Sequence, residues 1–157
     1  MKRTIVLLLA LICCLTTGCS PSIDCLDARN QSTKFVKDYL SCGTNATYQK
    51  MLKKYENDLE SELHAKMLAV PESCLGSLED GYKDHIASVT NVNVYSKDSD
   101  GNLEILSLED SANVYQCEVD ALLKFRGRTD FEYKITVILD KSGTIQDFVV
   151  DFLEKEK

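Results

Sequence analysis

The side chains that could do chemistry are few: seven cysteines, two histidines and seven tyrosines in 157 residues, with no tryptophan. Cys13 and Cys14 lie within an apolar run, Cys19 follows Thr16-Thr17-Gly18, and Cys25, Cys42, Cys74 and Cys117 are spread along the rest. No pair has C-x-x-C spacing and the histidines number only two, so a zinc site is a poor reading of the cysteines. Four cysteines in an exported domain suggest two disulfides, with three possible connectivities. Glu60 and His64, at i and i+4 on one helix, could join His85 at a metal. An exposed helical pair is the commoner meaning of that spacing, and no metal or cofactor is expected. G-x-S-x-G, G-x-G-x-x-G and Walker sequences are absent.

The compartment comes from the first residues. Lys2-Arg3 precede an unbroken apolar run from Ile5 to Leu15, well short of the ~20 residues of a spanning helix, and small residues then lead to Cys19. The junction resembles a bacterial lipobox, where the thiol is diacylated and the chain is cut before it. Thr16 stands where that pattern usually has leucine, and a plain secretory cut at the same bond is the rival reading. One acyl chain binds a membrane marginally, whereas a diacylglyceryl thioether carrying palmitate-type chains supplies two at one residue. Residues 1–18 are therefore expected to be a signal peptide, 19–31 a lipidated cysteine and short tether, and 32–157 a single α+β domain. The expected location is the extracytoplasmic face of the cell membrane or outer membrane.

Removing the first 18 of 157 residues leaves 139, enough for one core. Without Lys2 and Arg3 the formal charge moves from −7 to −9, and the remaining arginines are Arg29, Arg126 and Arg128. So acidic a chain repels phosphate backbones and anionic headgroups, which excludes nucleic acid as a partner and leaves lipid to hold the membrane.

The elements follow from periodicity. Phe35, Val36, Tyr39 and Leu40 predict a short helix over about Ser32–Ser41, with Gly43 as a left-handed stop and Asn45 as the next cap. Tyr48, Met51, Leu52, Tyr55, Leu59, Leu63 and Met67 form one apolar stripe, a helix of about 24 residues ended by Pro71. A third helix is expected from Ser77, burying Leu78, Tyr82, Ile86 and Val89. The period then changes to two. Val92 and Val94 begin a strand, Asp98 to Asn102 turn, and Leu103 to Leu108 return. Tyr115, Cys117, Val119, Ala121, Leu123 and Phe125 form an inward row, as do Phe131 to Leu139 in alternation, and Phe148, Val150 and Phe152. Apolar parity places Phe125 opposite Phe131, Arg126 opposite Asp130 and Lys124 opposite Glu132. A two-residue Ser142-Gly143 turn places Tyr133 opposite Phe152 and Lys134 opposite Asp151.

Helices followed by a long antiparallel meander resemble the nuclear-transport-factor-like, or cystatin-like, α+β cone. The residues that carry the resemblance are Lys34 to Leu52, KFVKDYLSCGTNATYQKML, and the strands from Asn113 to Leu153. The resemblance implies three helices packed on a curved antiparallel sheet of four to five strands, and a cone that is a catalytic pocket in some members and filled in others. A catalytic cone needs an inward ionisable residue. The inward rows offer Tyr115, Tyr133 and Cys117, while Glu118, Asp120, Asp147 and Asp151 take the opposite parity. Tyr115 and Tyr133 are therefore possible pocket residues, more simply core tyrosines with bonded hydroxyls. The loop from Ser96 places Asp98, Asp100 and Gly101 as in an EF-hand, but serines stand at the first and last ligand positions, so a plain hairpin is expected.

Three functions fit: a non-catalytic lipoprotein that binds an envelope or extracellular protein, a cone holding a small apolar ligand, or an assembly component of a secretion or conjugation apparatus. The first is preferred. For the disulfides, a straight helix of about 24 residues is roughly 36 Å long. That separates Cys42 from Cys74 beyond the ~7 Å a bridge allows. Two connectivities survive, Cys25–Cys42 with Cys74–Cys117, and Cys25–Cys74 with Cys42–Cys117, the second being favoured.

The mature chain is expected to begin at Cys19. Mass spectrometry of its first peptide should find lipid on that residue, and Cys19→Ala should block processing. An unmodified wild-type Cys19 would contradict the assignment.

Overall fold

Asp24 starts the first helix by accepting the Asp27 amide on Oδ1 at 2.8 Å, a cap worth about 1 kcal/mol. The helix α1 runs Cys25–Leu40 in a computed structural model that describes residues 22–70, 85–97, 100–125 and 130–153. Cys25, Ala28, Ser32, Phe35, Val36 and Leu40 recur at helical spacing and are buried. The helix thus opens about two turns ahead of Ser32, and Cys25 to Gln31 belong to the folded domain rather than to a tether. Small residues, Cys25, Ala28 and Ser32, make the buried stripe there, and small residues give little apolar signal. Three backbone bonds strap the start of α1 to neighbouring loops: Ile23 N–H to Lys141 O at 2.9 Å, Cys25 N–H to Asp110 O at 2.9 Å and Leu26 N–H to Leu108 O at 3.1 Å.

The turn after α1 also differs from expectation. Ser41 closes the helix in right-handed conformation, and among the described residues the glycines with positive φ are Gly101 and Gly143, not Gly43. Thr44, rather than Asn45, caps α2 (Asn45–Lys54), through a reciprocal box in which Thr44 and Thr47 each accept the other's amide. Asp38 joins the two helices by accepting the Tyr55 hydroxyl at 2.7 Å and the Lys54 ammonium. Burial alone would raise its carboxyl, but these hydrogen bonds and the lysine charges outweigh burial and hold it below the usual value.

The long second helix is broken. Tyr55–Asp58 turn, Leu59 makes a parallel bridge to Ile145, and α3 (Ser61–Leu68) follows. Asn57 and Asp58 are weak helix formers whose side chains favour turns. The break is held from outside the helix: Ile145 N–H donates to Asp58 O and Glu60 N–H to Ile145 O, both at 2.8 Å. The Glu60 carboxylate then caps α3 by accepting the Glu62 and Leu63 amides. All seven residues of the predicted stripe are nonetheless buried. A turn inserted between two helical segments kept the apolar positions on one side.

Most of the third helix expected from Ser77 falls outside the described residues, but Ile86 and Val89 do not. They lie in β1 (His85–Lys97), where Ile86 is exposed and Ala87, Val92 and Val94 face the core. A bulge at Thr90 switches the inward parity from odd to even. Valine- and threonine-rich sequence favours strand over helix, and that preference decides this segment. β1 turns through Gly101, at φ 86°, into β2 (Leu103–Ile105). Then come β3 (Val114–Phe125), β4 (Phe131–Asp140) and β5 (Ile145–Leu153). The antiparallel sheet has the order β2-β1-β3-β4-β5 and is open, with helices on one side. The domain is α+β, as its element pattern implied.

Two registers show what parity can and cannot decide. Between β3 and β4, Phe131 lies opposite Leu123 and Glu132 opposite Leu122, a slip of two residues from the expected pairing. Such a slip keeps every apolar row inward, so parity cannot detect it. Lys134 consequently lies opposite Asp120, and the expected Lys124–Glu132 pair does not form; Arg126 lies outside the described residues. Between β4 and β5, Tyr133 faces Phe152 and Lys134 faces Asp151, as expected. The turn that produces this is different: Asp140 N–H donates to Thr144 O and Gly143 N–H to Asp140 O, so Lys141, Ser142 and Gly143 form a three-residue loop. A register shift after Ile138 leaves Gln146 unpaired, and the extra loop residue and the bulge cancel. Asp140 organises the loop by accepting the Ser142 and Thr144 amides and the Gln146 side chain. These bonds hold its carboxyl below the usual value although burial raises it.

Gly143 has φ 87°, and its carbonyl accepts Gln31 Nε2 at 2.6 Å; a Cβ there would meet Gln31 Oε1 at 2.7 Å. Gly143→Ala should therefore destabilise the domain by about 1–2 kcal/mol from the left-handed backbone, with the Gln31 clash in addition. Thermal denaturation should show a clear fall in Tm; an unchanged Tm would mean that the loop is not seated on α1.

Candidate binding surface

The residues singled out for chemistry are mostly occupied with structure. Tyr115 is fully buried; its hydroxyl donates to Ile23 O at 2.5 Å and accepts the Ala112 amide at 2.9 Å. It pins the chain that precedes α1 to the sheet. Tyr133 is half-buried and lies opposite Ala121, toward the other end of the sheet. The two tyrosines are not brought together.

Cys25, Cys42 and Cys117 are buried free thiols, so the expected disulfides are not found among them. The Cys117 thiol donates to Ala28 O at 3.7 Å, and that of Cys25 to Leu106 O at 3.9 Å. Burial pushes the Cys42 and Cys117 thiols up to about 11, which keeps both protonated and unreactive at neutral pH. Both expected connectivities fail on the helix. Cys25 and Cys42 are separated by its whole length, roughly 25 Å, and Cys117 sits under Ala28, roughly 21 Å along α1 from Cys42. The exclusion of Cys42–Cys74 rested on a straight helix that does not exist; Cys74, like Cys19, lies outside the described residues.

The metal constellation is likewise dispersed. Glu60 caps α3, His85 Nε2 meets Leu40 O at 2.8 Å, and no group of three potential ligands occurs among the described residues. The strand carboxylates Glu118, Asp120, Asp147 and Asp151 lie on the parity opposite the buried rows. Asp120 accepts Asn91 Nδ2 at 3.3 Å on that outer face. Depressions bounded by described residues are surface features. One of about 300 Å3 is lined by Arg29, Thr33 and Lys37 against Thr90 and Asn91. Another, of about 430 Å3, is lined by Tyr133 together with Asp120, Glu132 and Lys134.

What the geometry does expose is the far end of the sheet. The inward row of β3 remains buried to Phe125, but the inward row of β5 emerges from cover: Phe148 packs edge-on against Phe35 and Tyr39, Val150 is partly exposed, and Phe152 is 49% exposed. Rings run continuously across the strands there, from His85 to Phe125, Phe131, Phe152 and Tyr133, with successive centroids 5.4–5.7 Å apart. Val149 and Leu153 are exposed beside them on the outer face. The alternation in the sequence marks this row but not its exposure, because alternation shows which face a side chain takes and not what covers that face.

β5 is also an outer strand. Asp140 N–H points at Thr144 O, and both peptide groups of Ile145 engage the α2–α3 turn, so the Leu139–Ile145 pair is a non-hydrogen-bonded one. Past the bulge, the same alternation makes Val137–Phe148, Ile135–Val150 and Tyr133–Phe152 non-hydrogen-bonded pairs. Phe148, Val150 and Phe152 therefore present N–H and C=O away from the sheet. Phe148 N–H takes its own neighbour, Asp147 Oδ1, at 2.9 Å. No family model, curated protein or solved structure matches the chain.

Proposed function

We propose that the chain is an extracytoplasmic lipoprotein, anchored by lipid at Cys19, that binds another protein with the far margin of its sheet and carries out no reaction. The observation that supports this most is the pairing of an open strand edge with exposed aromatic and aliphatic side chains on β5, on a domain whose inward tyrosines and cysteines are packed or hydrogen-bonded. Helices leading into an antiparallel meander also fit the nuclear-transport-factor-like or cystatin-like cone.

The anchor would set the orientation. Ile23 is strapped to Lys141, and only Ser20 to Ser22 separate it from Cys19, a reach of about 14 Å at most. The end of the domain that carries Ile23, Lys141 and Leu108 would stand against the bilayer. Phe125, Phe131 and Phe152 lie at the opposite ends of their strands, roughly 30 Å away. A binding margin there points away from the membrane, toward an envelope or extracellular protein.

Photo-crosslinking in the native cells tests this. A photoreactive residue at position 152 should yield a discrete protein adduct, and one at position 108 should yield none of the same mass. Identical adducts from both positions, or none from 152, would overturn the reading.

A further inference from the structure

We propose that the open length of β5, from Val149 to Leu153, accepts an extended segment of the partner as an additional strand. This segment carries lysine or arginine opposite Asp151 and apolar residues opposite Val150 and Phe152. The inference rests on the protein-binding reading above and names the chemistry of the partner.

The backbone supplies the affinity. Val150 and Phe152 each direct an N–H and a C=O outward, and an extended chain alongside can pair with all four groups. The edge already accepts one strand residue, since Leu59 bridges to Ile145 before the chain leaves into α3. Natural edges are usually protected by lysine, proline, a bulge or a covering segment. The stretch Val149-Val150-Asp151-Phe152-Leu153 contains no lysine or proline, and the bulge of β5 lies at its other end. Asp151 is its single charge.

The sheet's own rows specify the side chains. On the outer face, Asp120, Lys134 and Asp151 lie opposite one another on β3, β4 and β5, an alternation of sign that ends on a carboxylate at the edge. The next strand continues the alternation with a cation. On the helix side, Val119, Ile135 and Val150 form one row and Ala121, Tyr133 and Phe152 another, and both continue with apolar residues. A second copy pairing through β5 cannot complete the outer row, because Ile145–Leu153 contains no lysine or arginine.

The test uses the lipid-free mature chain and a capped peptide alternating valine with lysine. Two control peptides carry glutamate in place of lysine, or N-methyl groups on alternate amides. The lysine peptide should shift the Val150 and Phe152 amide resonances and bind tighter than the glutamate peptide by about fivefold. N-methylation should abolish binding. Asp151→Lys should reverse the preference between lysine and glutamate. Val150→Pro, which removes an outward N–H that an edge strand can spare, should abolish binding while circular dichroism stays unchanged. Equal affinity for the two charged peptides, or binding of neither, would overturn the inference. So would self-association abolished by Val150→Pro, which would assign the edge to a second copy. A cellular adduct at position 152 without peptide preference would sink this inference and leave the protein-binding reading standing.

Discussion

Ile145 gives both of its peptide groups to the helical layer, and much of the domain's form depends on that exchange. Its N–H and C=O take Asp58 O and Glu60 N–H, so the chain between Tyr55 and Glu60 cannot remain helical. Its side chain is fully buried beneath the layer. One contact thereby divides the long apolar stripe into α2 and α3, turns Glu60 into a cap, and closes the first residue of β5 to further pairing. Past that residue the helical layer leaves the edge, and β5 runs on with its outer peptide groups unclaimed by any described strand. The buried contact and the open edge are two parts of one strand.

The opposite end of the domain is tied by Tyr115, whose hydroxyl holds Ile23 O and the Ala112 amide, and by Gln31 on the Gly143 carbonyl. A fully buried tyrosine with both hydroxyl roles satisfied stiffens the place where the chain enters the fold. That is the end an anchor at Cys19 would hold. The aromatic row lies at the other end of the strands.

Periodicity predicted these features unevenly, for physical reasons. The inward rows of β3 and β4 were visible because a strand's side chains alternate without exception unless a bulge intervenes, and the stripe from Tyr48 to Met67 because burial selects for it whatever the backbone does between. Periodicity could not show the break at Asn57-Asp58, since that depends on a hydrogen bond to Ile145, far along the chain. It could not separate registers two residues apart, so Phe131 was set opposite Phe125 instead of Leu123. The Lys134–Asp151 pairing was right although its turn was wrong, because Gln146 bulges out by the residue that the loop gained. Ile86 and Val89 have helical spacing, but the β-branched composition around them favours the strand they form. At the exposed end of β5, alternation places Phe148, Val150 and Phe152 on one face, but whether that face is covered is a property of the helices' reach.

The openness of β5 is most directly measured by amide hydrogen exchange on the isolated domain. Val149 and Asp151, which pair with Thr136 and Lys134 on β4, should be protected, while Val150 and Phe152 should exchange rapidly. Such alternation along one strand is the signature of an edge with one partner. Equal protection of all four amides would show that a segment of this chain or a second copy already occupies the edge, and the binding surface would have to lie elsewhere.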